Sequence, residues 1–184
     1  MRNLPNYITV GRLLSLPVLV AMMLINTPWA AWTALGIYTA GCLTDWLDGY
    51  IARRFKFESA FGKFLDPVAD KIFIATVLIT LLANGNLPWW GSIPVILILC
   101  REFLVSGLRE FFGPQNIQFP VSNLAKWKTT AQMFSLGFLI MGEHGETVFP
   151  PNWEIGYSLL LIATILTMMT GWIYLKEGIK HLDA

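Results

Sequence analysis

The sequence of 184 residues is 55% hydrophobic and only 14% charged, and its mean hydropathy is +0.56. A soluble domain has about 25% charged residues, so this composition argues against an aqueous environment and favours a lipid one. The formal net charge of +1 excludes the strongly basic character that is typical of nucleic-acid-binding proteins.

Six apolar stretches follow one another along the chain, and a membrane-spanning helix needs about 20 mostly apolar residues. Strong helix breakers at 26–28, 84–88 and 149–152 separate several of these stretches. The predicted spans cover residues 7–25, 30–54, 61–83, 89–112, 122–141 and 153–178. Too little chain is left for a soluble domain, so we expect residues 1–184 to form a single all-α domain embedded in a membrane.

The distribution of Lys and Arg predicts how this domain is oriented. The turns near 26–29, 84–88 and 142–152 contain neither residue, whereas all 13 basic residues lie on or toward the opposite side of the predicted bundle. The positive-inside rule therefore places both termini in the cytoplasm, together with the connections at 55–60 and 112–121.

Four aspartates lie toward the cytoplasmic ends of the second and third predicted spans: Asp45, Asp48, Asp66 and Asp70. Ionisable residues in membrane helices are costly and therefore indicate function. The members of each pair are three or four residues apart, so each pair shares one helical face. A short connection brings the two faces together, and four converging carboxylates repel one another unless cations neutralise them. Carboxylate oxygens suit Mg²⁺ or Mn²⁺, and four carboxylates can bridge two such ions.

Small and basic residues accompany these aspartates. Gly49 and Ala52 leave one face of the second span almost bare, and Gly62 does the same on the third, which permits close helix packing or a flat ligand against the backbone. Arg53 follows Ala52 directly, and its guanidinium group suits the binding of a phosphate. Two other interpretations stay open, namely ion pairs that only pack helices and a pathway for cation transport. Transport predicts further ionisable residues toward the outer side, where these spans are almost uncharged.

A second group of cations lies toward the cytoplasmic ends of the fourth and fifth predicted spans: Arg101, Arg109, Lys126 and Lys128. Several cations near an acidic site suit a substrate that carries its own phosphate. Alternatively, these side chains reach out to lipid headgroups, as Lys and Arg at helix ends often do.

The acidic segment reads Asp45-x2-Asp48-Gly49-x2-Ala52-Arg53-x8-Gly62-x3-Asp66-x3-Asp70. It resembles the signature of the CDP-alcohol phosphatidyltransferase family at all eight fixed positions, which makes the resemblance highly specific. This resemblance implies the six-helix membrane fold of the family, a homodimer, and an active site open to the cytoplasm of a bacterium.

The resemblance also implies roles for individual residues. Two divalent cations, Mg²⁺ or Mn²⁺, are expected to bind the four aspartates, with Asp70 as the base that acts on the acceptor hydroxyl. The residues expected to bind the donor are Asn6, Thr9, Gly49, Ala52, Arg53, Ser59 and Gly62. Of these, Asn6 and Thr9 belong to the segment that reaches the phosphates of the donor, although both also suit simple capping of the first helix.

The implied donor is CDP-diacylglycerol, from which CMP is released. The segments 100–103, 106–110 and 126–132 most resemble those of family members that form phosphatidylglycerophosphate. The expected acceptor is therefore sn-glycerol 3-phosphate, whose phosphate would bind Arg101, Arg109, Lys126 and Lys128. Phosphatidylglycerol, inositol phosphate and serine are alternative acceptors, and an ion-coupled carrier is the alternative outside this chemistry.

Overall fold

The computed structural model describes residues 4–55, 60–113 and 123–182. Within these ranges the chain forms long helices and no strand, and one turn of 3-10 helix at Trp89–Gly91 precedes the fourth long helix. We number the six long helices α1 to α6, and they cover Leu4–Leu24, Pro28–Phe55, Ala60–Ala83, Ser92–Phe112, Asn123–Glu146 and Asn152–Leu182.

Each predicted apolar stretch corresponds to one helix, so the all-α prediction and the approximate helix bounds are confirmed. Pro28, which we read as a helix breaker, is instead the first residue of α2. Proline is favoured at that position because the backbone N–H that it lacks would have no partner within the helix. The fifth stretch was expected to end at residue 141, and α5 bends at Gly142, where φ is 50° and ψ is −136°, before continuing to Glu146.

Asparagine side chains bind the backbone where these helices end. The Asn152 amide donates to the carbonyl oxygens of Phe138 and Gly142 at 2.9 and 3.2 Å, and the Asn86 amide donates to that of Leu139 at 2.9 Å. The positive φ of Gly142 suits glycine, and a Cβ there would lie 2.8 Å from Asn86 Nδ2. The two asparagines therefore provide hydrogen-bond donors to the α5 carbonyl oxygens at and before the bend. This bend lies at the end of the bundle that carries no Lys or Arg.

The helices pack around a shared apolar core. α5 and α6 form the most extensive pair, α1 packs against both α2 and α3, α4 packs against α6, and α2 packs against α5. Leu19, Leu78, Leu136 and Leu160 from four of these helices are completely buried in the core. The arrangement brings α1, α2 and α3 together on one side of the bundle and α4, α5 and α6 together on the other.

The surface of the bundle is strongly apolar. Trp32, Phe134 and Trp172 are exposed by 50%, 62% and 68%, whereas the hydroxyl residues Ser135 and Thr167 are completely buried. A water-soluble protein rarely exposes so much apolar surface, so this pattern suits a lipid environment.

Three segments of the described helices are long and apolar enough to cross a membrane: Asn6–Leu24, Trp89–Phe112 and Asn152–Lys180. The first belongs to α1, the second joins the 3-10 turn to α4, and the third belongs to α6. The other three long helices carry the aspartates and lysines of the predicted site, which lower their hydropathy. Six membrane spans and cytoplasmic termini therefore stay predictions.

Candidate active site

Two polar side chains of α1 contact aspartates on the neighbouring helices. The Thr9 hydroxyl donates a hydrogen bond of 2.8 Å to Asp66 Oδ1 on α3, and the Arg12 guanidinium forms an ion pair with Asp45 Oδ1 on α2. Thr9 is 1% exposed and the Arg12 side chain is 4% exposed. Thr9 and Arg12 are one helical turn apart, so a single face of α1 holds the two acidic helices.

The three predicted metal ligands whose side chains are described do not all line the same cavity. Asp45 and Asp70 line the same cavity, while Asp66 contacts Thr9 and lines neither of the two cavities considered below. Among the described side chains, no three acidic, His or Cys residues lie close enough together to bind a metal. The Asp48 side chain lies outside the described residues, so convergence of all four carboxylates stays a prediction. These ligand atoms fit a hard divalent cation, because carboxylate oxygens from two helices face one cavity.

The residues expected to bind the donor are described only in part. Asn6 is half-buried one turn before Thr9, and Gly62 is buried near the start of α3. The remaining predicted donor residues have side chains outside the described part of the chain: Gly49, Ala52, Arg53 and Ser59. Among the residues expected to bind the donor, Thr9 contacts one of the aspartates, Asp66.

Two cavities meet beside Asp70. We name both cavities after the substrates that we propose for them. The first, the donor-side cavity, is lined by residues of α1, α2, α3, α4 and α5, including Arg12, Asp45, Asp70, Glu102 and Lys128. The second, which we call the acceptor-side cavity, is lined by residues of α3 and α4, including Asp70, Arg101, Glu102, Ser106 and Arg109. Asp70, Lys71 and Glu102 line both cavities, so one aspartate faces two separate binding spaces.

Three of the four predicted acceptor cations line these cavities. Arg101 and Arg109 line the acceptor-side cavity, and the buried Lys128 lines the donor-side cavity. Lys126 is exposed and lines neither cavity. Its position matches the alternative of a side chain directed toward lipid headgroups.

Glu102 joins two of these cations. Its Oε1 accepts hydrogen bonds from Lys128 Nζ at 2.5 Å and from Arg101 Nη1 at 3.1 Å. Arg101 and Lys128 are both buried, and a buried cation is strongly disfavoured without an anionic partner. Glu102 therefore holds a cation from α4 and a cation from α5 at the boundary between the two cavities.

Four residues of this network were not assigned to the site from the sequence: Arg12, Glu102, Thr170 and Tyr174. Arg12 carried a signal that would have identified it, since an arginine within an apolar span is itself an indication of function. Glu102 carried the same signal, since it is a charged residue within the fourth predicted span. Thr170 and Tyr174 contact the two arginines from α6, and nothing in their local sequence distinguishes them.

Comparison with known proteins identifies similar chains. The sequence model of the CDP-alcohol phosphatidyltransferase family matches residues 2–173. A CDP-diacylglycerol–glycerol-3-phosphate 3-phosphatidyltransferase of Rickettsia bellii is 43% identical over 179 residues, covering 97% of each chain. A protein of the same name from Cereibacter sphaeroides is 37% identical over 214 residues, covering 98% of this chain and 97% of its own. A cardiolipin synthase (CMP-forming) of Oryza sativa is 42% identical over 191 residues, covering 95% of this chain and 57% of its own.

Proposed function

The chain belongs to the CDP-alcohol phosphatidyltransferase family. From this premise we propose that it transfers the phosphatidyl group of CDP-diacylglycerol to sn-glycerol 3-phosphate, which yields phosphatidylglycerophosphate and CMP. The relatives from Rickettsia and Cereibacter support the choice of substrates, because their names state this reaction and they align over almost the whole chain.

The observation that carries the proposal is the position of Asp70 between two cavities of different character. On one side Asp70 shares a cavity with Arg12 and Asp45, and on the other side it shares a cavity with Arg101 and Arg109. A transferase has to hold its two substrates next to each other at the catalytic residue. Two arginines on the acceptor side suit an acceptor with a phosphate of its own. Each guanidinium group can donate two parallel hydrogen bonds to the oxygens of a phosphate.

In the proposed mechanism, Asp70 accepts the proton of the acceptor hydroxyl. The hydroxyl oxygen forms a bond to the lipid-side phosphorus of the donor, and the bond from that phosphorus to the CMP oxygen breaks. Positioning contributes more than basicity, because a carboxylate that also binds a cation is a weak base. Arg12 and Lys128 provide positive charge to the donor-side cavity, and Arg101 and Arg109 orient the acceptor phosphate.

Divalent cations are part of the same proposal. Asp45, Asp48, Asp66 and Asp70 would hold two ions, Mg²⁺ or Mn²⁺, and these ions would neutralise the carboxylates and the pyrophosphate charge of the donor. The cavity shared by Asp45 and Asp70 supports this assignment, because carboxylate oxygens from two helices face one space there. We also propose that the site faces the cytoplasm, which the Lys and Arg distribution supports, and that the protein is a homodimer in a bacterial inner membrane, as the family resemblance implies.

The proposed reaction is tested by measuring CMP release from CDP-diacylglycerol by the purified protein in detergent. Glycerol 3-phosphate, phosphatidylglycerol, serine and inositol phosphate are supplied in parallel with Mg²⁺ or Mn²⁺ present. We expect rapid CMP release only with glycerol 3-phosphate. If none of the acceptors supports release, the proposal is wrong and an ion-coupled carrier becomes the better hypothesis.

Cardiolipin formation is the second candidate, because the relative from Oryza sativa is named a cardiolipin synthase. Its acceptor, phosphatidylglycerol, is a lipid with two acyl chains, whereas glycerol 3-phosphate is a small water-soluble dianion. CMP release with phosphatidylglycerol but not with glycerol 3-phosphate in the same assay would favour this candidate.

A further inference from the structure

Two side chains of α6 contact the arginines of the acceptor-side cavity without lining the cavity themselves. Arg101 Nη2 donates a hydrogen bond of 3.0 Å to Thr170 Oγ1, and Arg109 Nη2 donates one of 2.8 Å to the Tyr174 hydroxyl. Thr170 and Tyr174 are one turn apart on α6 and are 1% and 4% exposed. Both α6 side chains are therefore part of the packed interior and contact the arginines from the protein side.

The Tyr174 ring contacts both guanidinium groups. Arg101 Cζ lies 5.7 Å and Arg109 Cζ lies 5.0 Å from the centroid of the ring. Both distances are within the range of cation–π attraction, which is strongest where water is excluded. One aromatic ring thus holds together two side chains that would otherwise repel each other.

Gly171 allows this close approach of α4 and α6. A Cβ at this position would lie 2.7 Å from Arg101 Cγ, a distance at which one of the two groups has to move. The stem of Arg101 is confined against the α6 backbone between Thr170 and Gly171, and Arg101 is only 9% exposed. A larger residue at 171 would therefore force a shift of the Arg101 side chain or of α6.

We propose that Thr170, Gly171 and Tyr174 are positioning residues that set the affinity for the acceptor phosphate. This inference rests on the proposed function, because it assigns the arginine pair to the acceptor. Binding one phosphate with two arginines requires both guanidinium groups to be held in place beforehand, since ordering long side chains during binding weakens affinity. The α6 residues provide that order without lining the cavity themselves, as Tyr174 and Thr170 lie behind the arginines.

The test compares Tyr174→Phe, which keeps the ring and removes the hydroxyl, with Tyr174→Leu, which removes both. Tyr157→Phe is the matched control, because Tyr157 is on the same helix at the opposite end and stacks on Trp153. Removing one hydrogen bond to a charged group should raise KM for glycerol 3-phosphate about tenfold. We expect Tyr174→Leu to raise it further, while KM for CDP-diacylglycerol and kcat change less than about twofold.

Two more variants test the other arginine. Thr170→Val should raise KM for glycerol 3-phosphate in the same way. Thr164→Val is its control, because the Thr164 hydroxyl donates within its own helix, to the Leu160 carbonyl oxygen at 2.7 Å. Gly171→Ala should have a larger effect than Thr170→Val. If Gly171→Ala fails to fold in a thermal unfolding assay, the two Tyr174 variants and Thr170→Val still decide the question.

The outcomes separate this inference from the proposed function. A wild-type protein that releases no CMP with glycerol 3-phosphate overturns the function itself. A wild-type protein that is active, together with Tyr174→Phe and Thr170→Val variants whose acceptor KM is unchanged, overturns only the inference. The same holds if these variants raise the KM of donor and acceptor equally, since that is the result of a general structural disturbance.

Discussion

The two ends of the helix bundle use polar side chains in opposite ways. At the end without Lys or Arg, Asn84, Asn86 and Asn152 donate to backbone carbonyl oxygens and close the ends of helices. At the end with the aspartates, polar side chains contact one another across helices, as Arg12 does with Asp45 and Lys128 with Glu102. Hydrogen bonds to the backbone stabilise the bundle, whereas ion pairs that face cavities preserve charges for a ligand. Variants at the two ends should therefore affect different properties.

The largest effect is expected for Asp70→Asn, which keeps the shape of the residue at the junction of the two cavities and removes its basicity. General-base catalysis contributes about 10²–10⁴ to a rate, so kcat should fall by that factor. Retention of radiolabelled CDP-diacylglycerol by the purified protein should be unchanged. An equal loss of donor binding and rate would instead mean that Asp70 serves only as a ligand.

A smaller loss is expected when the ion pair between α1 and α2 is broken by Arg12→Gln. The change removes a positive charge from the donor-side cavity and the hydrogen-bonding partner that α1 provides to Asp45, so kcat/KM should fall about tenfold or more and the melting temperature should decrease. Lys180→Gln is the matched control, since its ion pair with Glu177 is exposed and contributes little. In the Arg12→Gln, Asp45→Asn double-mutant cycle, additive effects would show that the two residues do not act together.

At the opposite end, Asn152→Ala should affect stability and leave catalysis almost unchanged. It removes hydrogen bonds to two carbonyl oxygens at the bend of α5, which costs about 1–3 kcal/mol of unfolding free energy. Thermal unfolding and CMP release measured on the same preparation check this expectation. A variant of normal stability but low activity would contradict the distinction between the two ends.

The smallest effect is expected for Lys126→Gln. Lys126 lines neither cavity, so KM for glycerol 3-phosphate should change less than about twofold. Lys128→Gln is the comparison, because it leaves the half-buried Glu102 without one of its two cations and should raise the acceptor KM several-fold. Equal effects of the two substitutions would support the prediction that Lys126 binds the acceptor phosphate.

The sequence predicts the helices well and the contacts between them poorly. Apolar stretches and breakers locate all six helices because length and helix ends are local properties. The pairs Arg12–Asp45, Arg101–Thr170 and Arg109–Tyr174 are separated by 33, 69 and 65 positions. Which faces meet depends on how each helix is rotated against its neighbour, and no local pattern encodes that rotation. The resemblance implies roles for the aspartates, but it implies none for the α6 residues that contact the two arginines.

The central claim is that carboxylates of α2 and α3 act together on divalent cations beside the two cavities. Mn²⁺ binding measured by electron paramagnetic resonance tests it directly and needs no turnover. We predict that the purified protein binds Mn²⁺, that Asp45→Asn and Asp66→Asn each abolish or strongly weaken this binding, and that Glu143→Gln on α5 leaves it unchanged. Mn²⁺ binding that persists at full strength in both aspartate variants would contradict the account.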